Sequence, residues 1–160
     1  MKTIVAVLGF IGLALSQAHA QLPVLANANH AELLASADPK LAANKRLVYD
    51  FWREVFEGGH LDLTTKYMAE TYMQHNPNVA TGRAGFVEAF SKVVQPKPIE
   101  PKVKAPLAAI LAEGDRVVLA FARERADPKD ASKKYTTTWF DMFRIENGRI
   151  AEHWDPALKR

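Results

Sequence analysis

The stretch "DMFRIENGRIAEHWD", residues 141–155, decides how the rest of the chain is read. Asn147-Gly148 stands between two alternating apolar runs, a strong local signal for an antiparallel hairpin. The second run closes on His153-Trp154-Asp155, two groups suited to proton chemistry flanking a large aromatic. Two registers are open. A two-residue turn pairs Glu146 with Arg149 and sets Asp141 opposite Trp154. A three-residue loop with Gly148 in a left-handed bulge pairs Ile145 with Arg149 and sets Asp141 opposite His153. The second is favoured, because side chains alternate along a strand. It gathers Trp139, Asp141, His153 and Asp155 on one face and leaves Phe140, Met142, Ile150 and Trp154 on the other.

Upstream of this hairpin the pattern is also strand-like. "KVKAPLAAILAE", "RVVLAFARERA", "KYTTTWFDMFRIE" and "RIAEHWD" give four strands, parted by Gly114-Asp115, the polar "DPKDASK" and Asn147-Gly148. The proline-rich "QPKPIEP" before them is a connector that no helix crosses. Ahead of it the period is helical. Asp38-Pro39 supplies a cap and a first-turn proline, and Leu47, Val48, Phe51, Trp52, Val55 and Phe56 then form one apolar face up to Gly58-Gly59. A shorter helix is predicted from Asp62 to about Glu70, and a third, capped by Thr81, across "GRAGFVEAFSKVV". "YMQHNPN" carries strand-like residues broken by Asn76-Pro77, a turn or strand end. Helices first and a meandering antiparallel sheet afterwards predict an α+β domain.

The 160 residues divide into three parts. Residues 1–20, "MKTIVAVLGFIGLALSQAHA", have Lys2, an apolar run from Ile4 to Leu15 and the small-residue pattern Ala18-His19-Ala20, the layout of a signal peptide cut after Ala20. The run is shorter than the roughly 20 residues a bilayer span needs, so no membrane association is expected after cleavage. The predicted location is periplasmic or secreted. Residues 21–37 read as an N-terminal extension and 38–160 as the folded domain. Hydrophobic residues make up 48% of the chain, enough for a real core. There is no cysteine, which excludes thiol catalysis and thiolate metal sites. Without Lys2, 20 cations face 18 anions, and they are interspersed, so nucleic acid is not an expected partner.

Two carboxylates and an imidazole on one strand pair, among aromatic side chains, suit acid–base catalysis. An apolar surround raises a carboxylate's pKa and a neighbouring negative charge raises it further. A group so placed can take a proton from carbon next to a carbonyl and return it elsewhere. Asp155, Asp141 and His153 are therefore the candidate catalytic residues. His75 and Asn76, from "QHNP", are candidates to hydrogen-bond a developing oxyanion. Trp139, Trp52 and Tyr49 are candidate pocket-lining residues. A metal held by His75, His153 and Asp155 is conceivable, but the spacing is unspecific, so neither metal nor cofactor is expected. The chain has no Gly-rich phosphate loop, nucleophile elbow or HExxH.

Three stretches together carry a resemblance: "YMQHNPNVATGRAGFVEAF", "AEGDRVV" and "DMFRIENGRIAEHWD". In that order, from about Asp38 to Asp155, the chain resembles the SnoaL-like polyketide cyclase family of the NTF2-like superfamily. The resemblance implies a cone, with N-terminal helices packed in a strongly curved, mostly antiparallel sheet around an apolar pocket, and a homodimer. It also implies cofactor-independent acid/base chemistry, as in an intramolecular aldol condensation, with the last-strand aspartate, here Asp155, as the acid/base. Asp141, His75, Asn76 and His153 match other pocket positions. Members often have histidine in a GDxVxxH pattern, where this chain has Ala120. The expectation is an exported enzyme acting on a small apolar carbonyl compound by aldol cyclisation, isomerisation or related proton transfer. The alternatives are a non-catalytic binder of a small apolar ligand and a structural dimer module.

Overall fold

The computed structural model describes residues 21–159, so the expected signal peptide lies outside the described residues. The chain is α+β, with a five-stranded, curved and unclosed sheet that holds the helices against one face. Helix α1 is His30–Leu34. Helix α2 is Pro39–Phe51 and runs directly into a π-helical turn, Trp52–Glu57. A 3₁₀ turn at Leu61–Leu63 leads to α3, Thr64–Tyr67. Strand β1, Met68–Gln74, and helix α4, Arg83–Ser91, follow. The remaining strands are β2 (Leu107–Glu113), β3 (Arg116–Asp127), β4 (Asp130–Glu146) and β5 (Arg149–Trp154). The strand order is β1-β5-β4-β3-β2, with β1 parallel to β5 and the other pairs antiparallel.

Helix α2 begins as the sequence suggests. The Asp38 carboxylate accepts from the N–H groups of Lys40 and Leu41, and Pro39 occupies the first turn. Its apolar face, continued into the π-helical turn, is buried through Val48, Phe51 and Val55. The helix predicted to reach Glu70 ends instead at Tyr67, because Met68 already pairs with Ile150 in the sheet. Thr81 does not cap α4. Its hydroxyl accepts from the Gln74 N–H and donates to the Tyr72 carbonyl, and Gly82, at a φ of 89° that suits glycine, takes the cap position. Residues 21–37 lie against the domain: the Asn27 N–H donates to the Leu107 carbonyl at the outer strand, and Leu34 is buried in the core.

The hairpin follows neither register drawn from the sequence, yet it delivers the expected face. Asn147 and Gly148 both adopt positive φ, 50° and 70°, in a two-residue turn that pairs Glu146 with Arg149 and Ile145 with Ile150. The register then shifts, so that Arg144 pairs with Glu152, Phe143 with His153 and Met142 with Trp154. Ala151 is the inserted residue of a bulge. One extra residue restores the parity that the two-residue turn would have reversed, and Trp139, Asp141, His153 and Asp155 share the concave side. The bulge also corrects one placement. Ile150, expected on the outer face, is fully buried in the core next to the buried Ala151.

Candidate active site

The concave side of β1, β5 and β4 and the facing surfaces of α2 and α4 enclose a cavity of about 400 Å³. Aromatic rings form its wall. Trp52 stacks on Phe56 at 4.3 Å and leans on Phe121 at 4.6 Å, and Phe90 stacks on Phe86 at 4.2 Å. Trp52 and Phe56 both come from the π-helical turn, a local irregularity often found at functional sites.

The polar groups gather where β1, β5 and β4 meet. His153 is buried, and Nδ1 lies 2.9 Å from Gln74 Oε1 and Nε2 lies 3.0 Å from Asp141 Oδ1. Gln74 Oε1 also accepts from the backbone N–H of Asn76, which fixes it as the carbonyl end of the amide. Nδ1 of His153 must therefore carry a hydrogen and donate it. The contact to Asp141 then holds one further proton, on Nε2 or on the carboxyl. Asp141 is only 4% exposed, and burial, followed by the charge of Asp155, pushes its pKa up, while His153 and Arg123 pull the other way. The raised carboxyl brings the two sites closer in proton affinity, as sharing a proton between them requires. Asp141 Oδ2 is buried and has no hydrogen-bond partner among the described residues.

Asp155 sits beside this pair, just beyond the end of β5. Its Oδ2 accepts from Asn76 Nδ2 at 2.7 Å and its Oδ1 from the Ala157 N–H at 2.8 Å. Tyr72 is buried on the next strand and its hydroxyl accepts from Gln74 Nε2 at 2.9 Å. Burial, then the charges of Asp155 and Asp141, push the phenol up, so it remains a donor, and its own hydrogen has no protein acceptor among the described residues. Asp141, His153 and Asp155 bring ligand-type atoms within 4.8 Å of one another, a set able to close on a metal ion. Coordination there would require His153 to release Asp141 or Gln74.

This geometry sits in a chain whose residues 46–157 match the family of SnoaL-like polyketide cyclases. The chain belongs to the SnoaL-like polyketide cyclase family. Among solved structures it is similar to a candidate polyketide cyclase from Acidithiobacillus ferrooxidans, at 20% identity and a TM-score of 0.51, covering 76% of this chain and 89% of that one. It is also similar to an LEH-like epoxide hydrolase from M. tuberculosis, at 13% identity and a TM-score of 0.50, over 73% and 84% of the two chains. A candidate SnoaL-like polyketide cyclase from Jannaschia matches at 15% identity and a TM-score of 0.50, over 76% and 91%. At these identities the likeness establishes the NTF2-like fold. No curated protein sequence matches the chain.

Within this SnoaL-like fold the structure brings Asp141, His153, Asp155, Asn76, Trp139 and Trp52 to the cavity. It leaves two proposed pocket residues outside. His75 follows Gln74 on β1, so alternation turns it outward, where it stacks on Trp154 at 4.8 Å and meets Glu152 at 2.8 Å. Tyr49 points to the far side of α2, where its hydroxyl meets His30 Nδ1 and accepts from the Val103 N–H. Asn76 is present in a different role: its amide holds Asp155. The Ala120 departure costs the pocket nothing, because alternation from Phe121 and Arg123 puts position 120 on the opposite face of β3. Tyr72, Gln74 and Arg123 line the cavity and were not singled out by sequence. For two of them the signal was parity: Tyr72 and Gln74 alternate along β1 in step with Asn76 just beyond its end.

Proposed function

We propose that this protein is a cofactor-independent acid/base enzyme that moves a proton at carbon next to the carbonyl of a small, largely apolar compound. Aldol cyclisation, isomerisation and related reactions share that step. The observation that carries the reading is the His153 clamp: a tautomer fixed by Gln74, a proton shared with Asp141, and Asp155 beside them in an aromatic cavity. Asp155 takes the proton from carbon, held in place by Asn76 and the Ala157 N–H. Asp141 and His153 supply or receive the compensating proton. Tyr72 turns its free hydroxyl hydrogen to the developing enolate oxygen.

The test is deuterium exchange. 2-Tetralone in D₂O, followed by NMR, should lose its α-protons at an enzyme-dependent rate, and Asp155→Asn should reduce that rate by roughly 10²–10⁴-fold. Exchange that ignores the enzyme, or survives the substitution, sinks the reading and leaves a binding protein.

We also propose that the chain works after export, as a homodimer. The sequence layout of residues 1–20 supports export. The outer sheet face supports self-association, with Leu111 64% and Phe140 51% exposed on it. Native mass spectrometry of the exported product reads both, with a first residue of Gln21 and twice the chain mass expected.

A further inference from the structure

A second cavity, of about 690 Å³, adjoins the first and shares Trp52, Phe56, Val93 and Arg123 with it. The two are chambers meeting at a waist, the inner one ending at Asp155 and the outer one walled by Gly58, Pro98 and Ala105. Arg123 stands at that waist. Its guanidinium carbon lies 3.8 Å from the centre of the Trp139 ring, one diagonal step away across β3 and β4. Stacking occupies a face of the guanidinium and leaves its N–H edge available.

Among the described residues Arg123 makes no hydrogen bond and no ion pair. Four carboxylates line the chambers, and none is in hydrogen-bond or ion-pair contact with Arg123, although the charges of Asp141 and Asp155 act on it from the inner chamber. Glu57 accepts from Trp52 Nε1 and from the N–H groups of Lys104 and Ala105. Glu100 pairs with Lys104 at 2.6 Å. Asp155 is held by Asn76 and Ala157, and Asp141 by His153. A half-buried guanidinium whose N–H edge meets no protein acceptor among the described residues is placed to take a planar anion on that edge. Arg125, two residues along the same strand, adds positive charge to the same region.

We propose that Arg123 is an anion-binding residue, and that the ligand is an aromatic or polycyclic monocarboxylate whose apolar body lies along the Trp52–Phe56 wall. The inference rests on the cavity being a ligand site and narrows its substrate class from an apolar carbonyl compound to one that also bears a carboxylate. A planar carboxylate matches a single guanidinium fork. The same residue fixes the ligand's direction, carboxylate at the waist and carbonyl end toward Asp155.

Isothermal titration with 2-naphthoate and its neutral counterpart 2-naphthamide tests this. The wild-type protein should bind the carboxylate more tightly by roughly tenfold or more, the range of a hydrogen bond to a charged group. Arg123→Gln should abolish that preference while leaving 2-naphthamide affinity unchanged, which also shows that the variant is folded. Arg123→Lys should recover part of it. Equal affinity for the two probes in the wild type, or an equal loss of both in Arg123→Gln, overturns the anion site. Failure to bind either probe overturns it together with the ligand-site reading. Proton exchange on 2-tetralone, a neutral ketone, judges the catalytic reading separately. Exchange lost with the naphthoate preference intact removes the enzyme and keeps the anion site, and the reverse result removes only the anion site.

Discussion

His153 lies on β5 and His75 directly follows the end of the neighbouring β1, and each contacts a carboxylate within 3.0 Å. His153 faces inward, against buried Asp141. His75 faces outward, against Glu152, which Arg144 also holds at 2.7 Å. The two carboxylates are driven in opposite directions. Burial raises Asp141, whereas the hydrogen bond from Arg144, and then that from His75, lowers Glu152. The residue types are the same, so the contrast comes from surroundings: solvent and a cation on the convex side, aromatic rings and a second carboxylate on the concave side. On the proposed reading a proton is mobile chemistry on one face and a minor electrostatic adjustment on the other.

The widest separation should appear in turnover. Asp155→Asn removes the proposed base and costs roughly 10²–10⁴ in exchange rate. Glu152→Gln, on the convex side of the adjoining strand, should leave that rate within about twofold, because surface ion pairs contribute little. A comparable loss in both would mean that the two faces are not functionally distinct. Stability should separate them next. His153→Leu strands Asp141 and Gln74 in the interior and should cost about 2–3 kcal/mol in urea unfolding at pH 7. His75→Leu gives up an exposed contact and a stack on Trp154, and should cost under about 1 kcal/mol. Equal costs would place the inner histidine among ordinary surface groups.

Which face a residue would take was legible wherever a period ran unbroken. The helical stripe from Val48 to Val55, across α2 and the π-helical turn, and the β4 alternation through Trp139, Asp141 and Phe143 are local patterns, and the structure keeps them. The hairpin was harder. Asn147-Gly148 announced the turn, but nothing in "RIAEHW" marks Ala151 as the bulged residue. That bulge arises because Ile150 and Ala151 both find room in the core, a tertiary gain outside local pattern. His75 was misplaced because the Asn76-Pro77 break hid a strand whose alternation runs up to it. Tyr49 was misplaced because a helix rich in apolar residues has more than one buried side. Arg123 escaped notice for a different reason. In "ARERA" it looks like any solvated strand charge, and its lack of a partner is visible only once its neighbours' bonds are known.

The smallest effect gives the most direct test of the contrast, because it depends on sign and not on size. The ordinary value for Asp141 is 3.8, and the folded protein raises it. Its contribution to stability is therefore complete below that ordinary value and is lost as pH rises through the raised one. Glu152 starts from 4.5 and is lowered, so its contribution is present above 4.5 and is lost as pH falls through the depressed value. Asp141→Asn keeps a hydrogen-bonding side chain toward His153 without the buried charge, and at pH 8 should unfold later than wild type. The gain is on the order of 1 kcal/mol, or about 3 °C in Tm. It should shrink as the pH is lowered. Glu152→Gln should behave in reverse, slightly less stable than wild type at pH 7 and indistinguishable from it near pH 3. Differential scanning calorimetry of the three proteins between those limits reads both slopes. If the two differences from wild type drift in the same direction with pH, Asp141 is not held as a buried acid. The proton placed between it and His153 would then have to sit on the imidazole.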